Sequence, residues 1–307
     1  MPSKTEVPAI EAPATFAITS ATQGNQSVIL TWVNSAGADR YEVSYGTVSG
    51  VYDTVATLNA VSPLELTGLS SGVTYYFQVT AVNSAHRTVS NEMSQQAIFY
   101  DDFNRFSMGP DWYIGNDPSS FSAQLNMEAS INVSFDGAQV VFEESDVEWR
   151  GQTLETRQDF NLTNAWISVD MVAPFNIGPY RESGVWVIDE NADGWEMYAA
   201  EGSLHAGSYY GSGAQDMDDF LYDPVAHRYL RIRHVEGTPG QIIFEASPDE
   251  VVWSNIRTMD RDVGIDVNRM HPMVYSFQAS RSNILTGEPA ARFNHLKTNA
   301  TYSVLPD

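Results

Sequence analysis

Residues 28–34 read VILTWVN, an alternating stretch that points to a buried β-strand. Val28, Leu30 and Trp32 occupy every second position, and successive side chains of an extended strand point to opposite faces. These three side chains are therefore predicted to face one core. The Trp32 ring is large enough to fill the space between two packed sheets.

Residues 69–83 read LSSGVTYYFQVTAVN and contain a second signal of the same fold. Leu69, Gly72 and Tyr75 have an L-x-x-G-x-x-Y spacing. This spacing resembles a tyrosine corner, in which the phenol hydroxyl ties back to a nearby backbone group. The long apolar run that follows predicts a central strand of a β-sandwich.

Seven short segments of this kind lie between residues 13 and 99, separated by Gly, Asn and Ser. They are predicted as strands at Thr15–Ser20, Val28–Asn34, Tyr41–Tyr45, Tyr52–Thr57, Pro63–Thr67, Tyr75–Asn83 and Glu92–Ile98. Turns at intervals of ~8–12 residues are typical of a sandwich. With APATFAITSA, YEVSYG and SNE in order around them, residues 13–99 resemble a fibronectin type III domain, which implies a fold and no activity. Residues 1–12, rich in Pro, are expected to form an extended arm.

The remainder of the chain, residues 100–307, also shows strands and no helical period. About ten strands are predicted, the clearest at Gln139–Phe142, Leu154–Phe160, Ala165–Val172, Gly184–Ile188, Trp195–Ala199, Tyr229–His234, Gln241–Ala246, Val252–Met259, Met273–Ala279 and Ala291–Leu296. The stretches DDFNRFSMGPDWYI, HRYLRIRHVEG, IIFEASPDEVVWSNI and RFNHLKTNA resemble a concanavalin A-like lectin/glucanase domain, a jelly roll related to laminin-G-like modules. The predicted fold class is all-β: a seven-stranded fibronectin type III sandwich plus a concanavalin A-like jelly-roll sandwich.

Composition and charge exclude several function classes. The chain has 307 residues, 16 Lys and Arg, 39 Asp and Glu, and a formal charge of −23. Such a surface repels phosphate backbones, so no nucleic-acid partner is expected. With 0 Cys, disulfides, zinc–thiolate sites and cysteine nucleophiles are excluded. No apolar run approaches ~18 residues, so the sequence predicts no membrane insertion.

One acidic stretch raises the question of catalysis. Glu144, Asp146 and Glu148 share one face if they lie on a strand. The resemblance to laminarinase-like glycosidases implies a nucleophile at the first Glu and a general acid at the last. The flanking Glu143 and Ser145 are polar where that family usually has apolar residues, which favours a solvated acidic loop. The sequence therefore predicts no catalytic residue and no enzyme.

Two acidic segments of the sequence suggest a bound calcium ion, and no other cofactor is expected. Asp189-Glu190-Asn191-Ala192-Asp193-Gly194 has oxygen ligands at the first, third and fifth positions, as in a calcium loop. The glutamate due at the twelfth position is missing. The alternative is a hairpin turn in which the Asp-Gly pair supplies the positive φ. A second calcium site, at Asp101 or Asp102, is implied by the resemblance alone.

Aromatic residues predict a glycan site. Rings cluster in one third of the second domain, at Trp186, Trp195, Tyr198, Tyr209, Tyr210 and Tyr222. Sugars stack their C–H faces on such rings, while nearby acids and amides bind the hydroxyls. GSYYGSGAQDMDDF is predicted to be a long loop that exposes Tyr209 and Tyr210, and Trp195 is the third candidate. The alternative is that these rings fill a sandwich core.

The pairing of the two domains suggests a biological setting. A fibronectin type III module fused to a lectin-like jelly roll is an extracellular type of architecture, yet the amino terminus lacks the apolar core of a secretory signal. Both observations fit a non-enzymatic bacteriophage protein on the virion surface, as a capsid decoration, a head fibre or a tail-attached accessory fibre. Its expected partners are other virion proteins, further copies of itself and, weakly, a host-cell glycan. The alternatives are a secreted carbohydrate-binding module or glycosidase without its signal peptide, and an architectural spacer.

Overall fold

The computed structural model describes residues 9–105, 107–114, 133–137, 139–142, 150–173, 181–210, 213–278 and 291–302. All regular elements in these ranges are β-strands, which confirms the all-β prediction. Two compact units are present, Met1–Phe99 and Tyr100–Asp307. No helix in the described ranges is long and apolar enough to cross a bilayer.

The first unit is a sandwich of two antiparallel sheets. Its strands are β1 (Ile18–Gly24), β2 (Ser27–Trp32), β3 (Arg40–Gly46), β4 (Thr54–Thr57), β5 (Leu64–Leu66), β6 (Thr74–Val82), β7 (Arg87–Val89) and β8 (Met93–Gln96). One sheet has the order β1-β2-β5 and the other the order β4-β3-β6-β7, with β8 also paired to β6. The short β7 lies in the SAHRTVS tip, where no strand was predicted.

The core of this unit contains the predicted residues. Trp32 is 4% exposed and packs with Val28 and Leu30 in one cluster. The Tyr75 hydroxyl accepts a hydrogen bond from the Ser70 backbone N–H at 3.0 Å, so the tyrosine corner is confirmed. The sequence pattern therefore predicted both the strand faces and the tie across the end of the sandwich.

The second unit is a larger two-sheet sandwich. Its strands are β9 (Phe99–Asp101), β10 (Trp112–Ile114), β11 (Val133–Phe135), β12 (Val140–Phe142), β13 (Arg150–Thr156), β14 (Phe160–Asn161), β15 (Trp166–Ala173), β16 (Arg181–Ile188), β17 (Gly194–Ala200), β18 (Ser203–Tyr210), β19 (Gly213–Leu221), β20 (Tyr229–Val235), β21 (Gln241–Ser247), β22 (Ser254–Asp260), β23 (His271–Gln278), β24 (Ala291–Thr298) and β25 (Thr301–Tyr302). A seven-stranded sheet has the order β10-β13-β23-β16-β17-β18-β19, and the other large sheet contains β11-β12-β24-β15-β20-β21-β22, with β9 beside β24. β14 and β25 form a separate pair.

The inward faces of the two large sheets form the core. Val187 and Met197 from the seven-stranded sheet are fully buried, as are Phe244 and Phe293 from the other. Arg257 of β22 links the sheets by donating hydrogen bonds to the Ala206 carbonyl oxygen of β18 at 2.8 Å and to Asp216 of β19. The outward face of the seven-stranded sheet carries a separate hydrophobic cluster that includes Trp186, Met273 and Tyr275.

One predicted loop is wrong. The stretch 207–220 was expected to be a loop that displays tyrosines, but β18 and β19 pair along it as an antiparallel hairpin. Its Gly, Ser and Asp residues lack the apolar alternation by which strands are recognised. β19 is an edge strand with Asp218 and Asp219 exposed, so its side chains need not be apolar.

Candidate functional site

The strand register brings aromatic rings and carboxylates onto the outward face of the seven-stranded sheet. Directly opposite residues of paired strands share a face. Trp186 of β16 is opposite Glu196 of β17, and Gly184 lies between Tyr275 of β23 and Tyr198 of β17. With Glu182 of β16 and Tyr209 of β18, these residues form what we call the acidic–aromatic face: Glu182, Trp186, Glu196, Tyr198, Tyr209 and Tyr275.

The rings of this face are packed against one another. The Trp186 and Tyr209 ring centroids are 4.7 Å apart in an edge-to-face arrangement, and Trp186 and Tyr275 are 5.6 Å apart. Tyr198 stacks on His205 at 4.5 Å. Tyr198 and Tyr209 are half-buried and keep part of their surface accessible, whereas Tyr275 is 2% exposed. The face thus offers two partly accessible rings, Tyr198 and Tyr209, beside the buried ring of Tyr275.

Gly184 is required for this packing. A Cβ atom at residue 184 would lie 2.6 Å from the Tyr198 Cβ atom, closer than two such atoms approach. Any larger residue would push Tyr198 away from Tyr275, to which its ring centroid is 6.5 Å distant. The absence of a Cβ atom at Gly184 therefore allows Tyr198 and Tyr275 to pack beside each other.

The two glutamates are unusual because neither is matched by a cation, although Glu196 is only 6% exposed and Glu182 is half-buried. Burial raises the pKa of Glu182 to about 7. Burial, together with the charge of Glu182, raises the pKa of Glu196 to about 8, and the Tyr275 hydroxyl donates a 3.3 Å hydrogen bond to Glu196 Oε2. Within the described ranges neither carboxylate forms an ion pair with Lys, Arg or His. Near neutral pH each of the two carboxyl groups is therefore partly protonated.

One donor on this face is unsatisfied. Trp186 is 6% exposed, and its indole Nε1–H has no hydrogen-bond partner in the described part of the chain. An unpaired buried donor costs free energy, on the order of 1–3 kcal/mol, which an arriving acceptor recovers. Burial also raises the pKa of Tyr209, so its hydroxyl remains a neutral donor and acceptor.

The sequence-predicted glycan residues divide between the two faces. Trp195 lies on the inward face opposite Val187 and is 0% exposed, so it offers no surface for stacking and its assignment is corrected. Tyr209 belongs to the acidic–aromatic face. Tyr210 ends β18, and its side chain lies outside the described residues.

Calcium was predicted at Asp101 or Asp102, but the described residues do not place a cluster of metal-ligating side chains there. Arg105 ion-pairs with the Asp101 carboxylate, with an Nη2–Oδ2 distance of 2.8 Å, and the Trp112 indole N–H donates to the same oxygen. Asp102 accepts from the Asn104 backbone N–H at 3.0 Å. Over the ranges that the structure describes, no group of three or more His, Asp or Glu could hold a metal ion. Calcium at these residues stays a prediction without geometric support.

The predicted calcium loop at residues 189–194 is a turn between β16 and β17. Asp189 is fully buried and accepts from the backbone N–H groups of Asn191 at 2.8 Å and Asp266 at 3.0 Å. The positive φ belongs to Ala192, at 63°, and not to Gly194, which corrects the expected turn chemistry. The carboxylate therefore organises the turn from inside.

The suspected catalytic stretch with Glu144, Asp146 and Glu148 lies outside the described residues. Glu182, Glu196 and Tyr275 were not predicted as site residues from the sequence. A signal for Glu196 was present in WEMYAA, where one acid interrupts an otherwise apolar strand. No comparable signal marks Glu182, because RESG reads as a polar strand end.

Comparisons with known proteins identify the first domain. Residues 11–96 match the fibronectin type III domain family. A stretch of 67 residues, 22% of the chain, is 40% identical to a Kelch domain-containing protein of Saccharolobus solfataricus. This match spans only 9% of that relative.

Several solved structures are similar to a larger part of the chain. The apo Crh5 transglycosylase has 11% identity and a TM-score of 0.43, over 67% of this chain and 88% of that chain. A glycoside hydrolase family 16 endo-glucanase from Bacteroides ovatus has 13% identity and a TM-score of 0.41, over 66% and 98%. The Ca²⁺/Man2-bound exoplasmic/lumenal domain of VIP36 has 10% identity and a TM-score of 0.42, over 66% and 86%. Likeness at this level does not identify a ligand or an activity, so function has to be argued from the acidic–aromatic face.

Proposed function

We propose that the protein is a non-enzymatic surface protein of a bacteriophage particle that binds a glycan through the acidic–aromatic face. The observation behind the binding role is that the partly accessible rings of Tyr198 and Tyr209 share one sheet face with the carboxyl groups of Glu182 and Glu196. Rings supply flat apolar area for sugar C–H groups, and carboxyl groups supply acceptors for hydroxyls. Both kinds of group come from paired strands, which hold them more rigidly than loops do.

The second domain binds weakly at one site in this proposal, and multiple copies on a particle raise the effective affinity. One stacked ring contributes about 1 kcal/mol, so a single shallow site gives a modest dissociation constant. Display of many linked copies raises avidity by ~10²–10⁴ without any new contact. A capsid decoration, a head fibre or a tail-attached accessory fibre provides such display.

Composition supports a particle protein over a secreted one. An adhesion-type pair of sandwiches with 0 Cys needs no oxidising compartment in order to fold. A net charge of −23 keeps densely displayed copies soluble and away from nucleic acid. The partners proposed with this role are other virion proteins and further copies of the same chain.

A specific observation favours a second candidate, a glycosidase. A retaining glycosidase needs one carboxyl group protonated near neutral pH and a second within about 5–5.5 Å. Glu196, with a pKa raised to about 8, has the protonation state of a general acid. In this alternative Glu182 is the partner carboxylate, and the chain is a secreted enzyme or carbohydrate-binding module.

Binding to immobilised glycans with variants of the full chain tests the proposed role. Tyr209→Ala and Tyr198→Ala should each weaken binding about fivefold, since each removes one ring contact of about 1 kcal/mol. Tyr229→Ala is the matched control, because Tyr229 is also half-buried but lies on the other sheet. Equal losses in all three variants would show that the face is not the binding site.

Catalysis and location need separate experiments. Release of reducing sugar from the bound glycan, abolished by Glu196→Gln, would establish the glycosidase and overturn the non-enzymatic role. Copies of the chain resolved at a symmetry axis of a purified phage particle would support the virion role. Secretion of the chain by an uninfected bacterium that encodes it would contradict that role.

A further inference from the structure

Several buried or partly buried carboxylates elsewhere in the described residues are matched by a positive charge. The pairs are Glu42 with Arg40 and Arg87, Asp101 with Arg105, Asp159 with Arg269, Asp170 with Arg228, Glu245 with Arg231 and Arg233, and Glu250 with His295 and Lys297. Asp189 is neutralised differently, by the backbone N–H groups of its turn. These seven carboxylates are thus each compensated, as expected from the cost of burying an unpaired charge.

Glu182 and Glu196 differ from these seven carboxylates. The described residues provide Glu196 with one hydrogen bond, from the Tyr275 hydroxyl, and Glu182 with none. Two acids that interact electrostatically in one apolar environment are costly for folding. A cation delivered by a ligand would compensate these two acids as basic side chains compensate most of the acids named above.

The rings around the two acids suit the same cation. The faces of Trp and Tyr carry negative charge and attract ammonium groups, and this attraction is stronger where water is excluded. Trp186 lies directly across the strands from Glu196, and Tyr198 and Tyr275 stand beside it. The unpaired Trp186 indole N–H is a donor, so the same ligand also needs an acceptor such as a sugar hydroxyl.

We propose that the ligand of the acidic–aromatic face is a carbohydrate bearing a protonated amine, held between Glu182 and Glu196 with the rings around it. This inference rests on the proposed glycan-binding function and specifies the class of glycan. The amine forms ion pairs with the two carboxylates, and a hydroxyl of the same sugar accepts from Trp186. An N-acetylated sugar lacks the charge and leaves both acids unpaired.

Binding is then coupled to protons. The raised pKa values mean that Glu182 and Glu196 are largely protonated at pH 6, so an amine that binds there displaces protons. Other titratable groups on this face lie on every neighbouring strand: Glu155 on β13, Tyr275 and His271 on β23, Tyr198 on β17, His205 and Tyr209 on β18, and Asp219 on β19. Burial lowers the pKa of His271, and His205 is paired with Asp219, so neither is a ready counter-ion for the two glutamates.

The test compares trimers of glucosamine and of N-acetylglucosamine as ligands of the full chain by isothermal titration calorimetry. At pH 7 and fixed ionic strength, the glucosamine trimer should bind at least tenfold more tightly than the acetylated one. Titrations in buffers of different ionisation enthalpy should show proton release with the amine and none with the amide. Glu182→Gln and Glu196→Gln should each reduce the preference several-fold and reduce the proton release.

A control separates this site from general attraction to an acidic protein. Glu236 is exposed, so Glu236→Gln removes the same charge without touching the face, and it should leave the preference unchanged. An equal loss in Glu236→Gln would overturn the inference. Binding of both trimers with no preference for the amine would also overturn it, while the proposed glycan-binding function would stand. If neither trimer binds and no other glycan does, the proposed function fails as well.

Discussion

The outward faces of the two large sheets handle negative charge in opposite ways. On the eight-stranded side, Glu245 accepts from Arg231 at 2.7 Å and from Arg233 at 3.0 Å. Burial raises the pKa of Glu245, but the two guanidinium groups outweigh this effect and hold it below its usual value. On the acidic–aromatic face, Glu196 has no such partner, and its pKa moves to about 8.

The difference shows which acids belong to the scaffold. A carboxylate with its own arginines is part of the folded structure, and its removal leaves positive charges unpaired. A carboxylate buried without a cation weakens the fold, and it is retained in functional sites where a ligand compensates. Loss of the first kind should therefore destabilise the protein, and loss of the second kind should stabilise it.

The largest change in the free energy of unfolding is expected on substitution of Glu245. Glu245→Gln leaves Arg231 and Arg233 without a carboxylate on a largely buried surface, at a cost on the order of 3 kcal/mol. Urea unfolding of the full chain followed by tryptophan fluorescence measures this effect, because six of the seven tryptophans lie beyond residue 99. The loss should shrink as pH falls through the lowered pKa of Glu245. A cost below ~0.5 kcal/mol at pH 7 would show that the pair is not structural.

Glu196→Gln should have the opposite sign. A pKa raised in the folded state gives a contribution that is complete below the unfolded pKa of about 4.5 and is lost as pH rises through about 8. The variant should therefore match the wild type at pH 5 and be more stable by roughly 2 kcal/mol at pH 8. Urea unfolding at the two pH values tests this, with Glu236→Gln as the control that shows no pH-dependent gain. A loss of stability at pH 8 would mean that Glu196 has a cation in solution.

Whether the sequence predicts which side chains face inward depends on whether it fixes the register of strand pairing. In the first domain Trp32 was located from strand alternation and Tyr75 from its L-x-x-G-x-x-Y spacing, and both positions are confirmed by burial and by the Ser70–Tyr75 hydrogen bond. In the second domain, alternation shows that Trp195 and Glu196 point to opposite faces without showing which face is inward. A one-residue slip in pairing exchanges the faces of a strand, and nothing in the DENADG turn excludes that slip. Trp195 was therefore assigned to the ligand instead of Trp186.

Electrostatic environment could not be predicted either. Glu196 and Glu245 both occur in apolar strands, WEMY and IIFEAS, and look alike as sequence. The arginines that neutralise Glu245 come from β20, the strand paired with β21. The strands beside Glu196 supply Trp186 and Gly207 opposite it. Which of the two acids is paired thus depends on tertiary neighbours 10 or more positions away in the chain.

Arg231→Lys tests how Arg231 pairs with Glu245 on the other large sheet. The expected change in the free energy of unfolding is smaller than for the two glutamate variants. The Arg231 guanidinium lies 3.9 Å from the Trp253 ring centroid while it donates to Glu245. Lys keeps the charge but loses the flat stacking surface, so we expect a loss of about 1 kcal/mol. The same unfolding measurement applies, and Arg231→Met should cost more because it removes the charge as well. If the Lys variant were as stable as the wild type, charge attraction alone would account for the contribution of Arg231.

The smallest effect is expected at Asp219, which tests whether burial or the number of acids controls the behaviour of the acidic–aromatic face. Asp219 pairs with His205 at 2.6 Å, but its side chain is 68% exposed and screened by water. Asp219→Asn should change stability by less than ~0.5 kcal/mol at both pH 5 and pH 8, the range for exposed pairs. It should also leave the preference for an amine ligand intact, although it removes one negative charge within the same sheet. A loss of that preference comparable with the loss in Glu196→Gln would mean that a diffuse acidic field attracts the amine. An unchanged preference would assign the effect to the carboxyl groups of Glu182 and Glu196, which have no cation partner in the described residues.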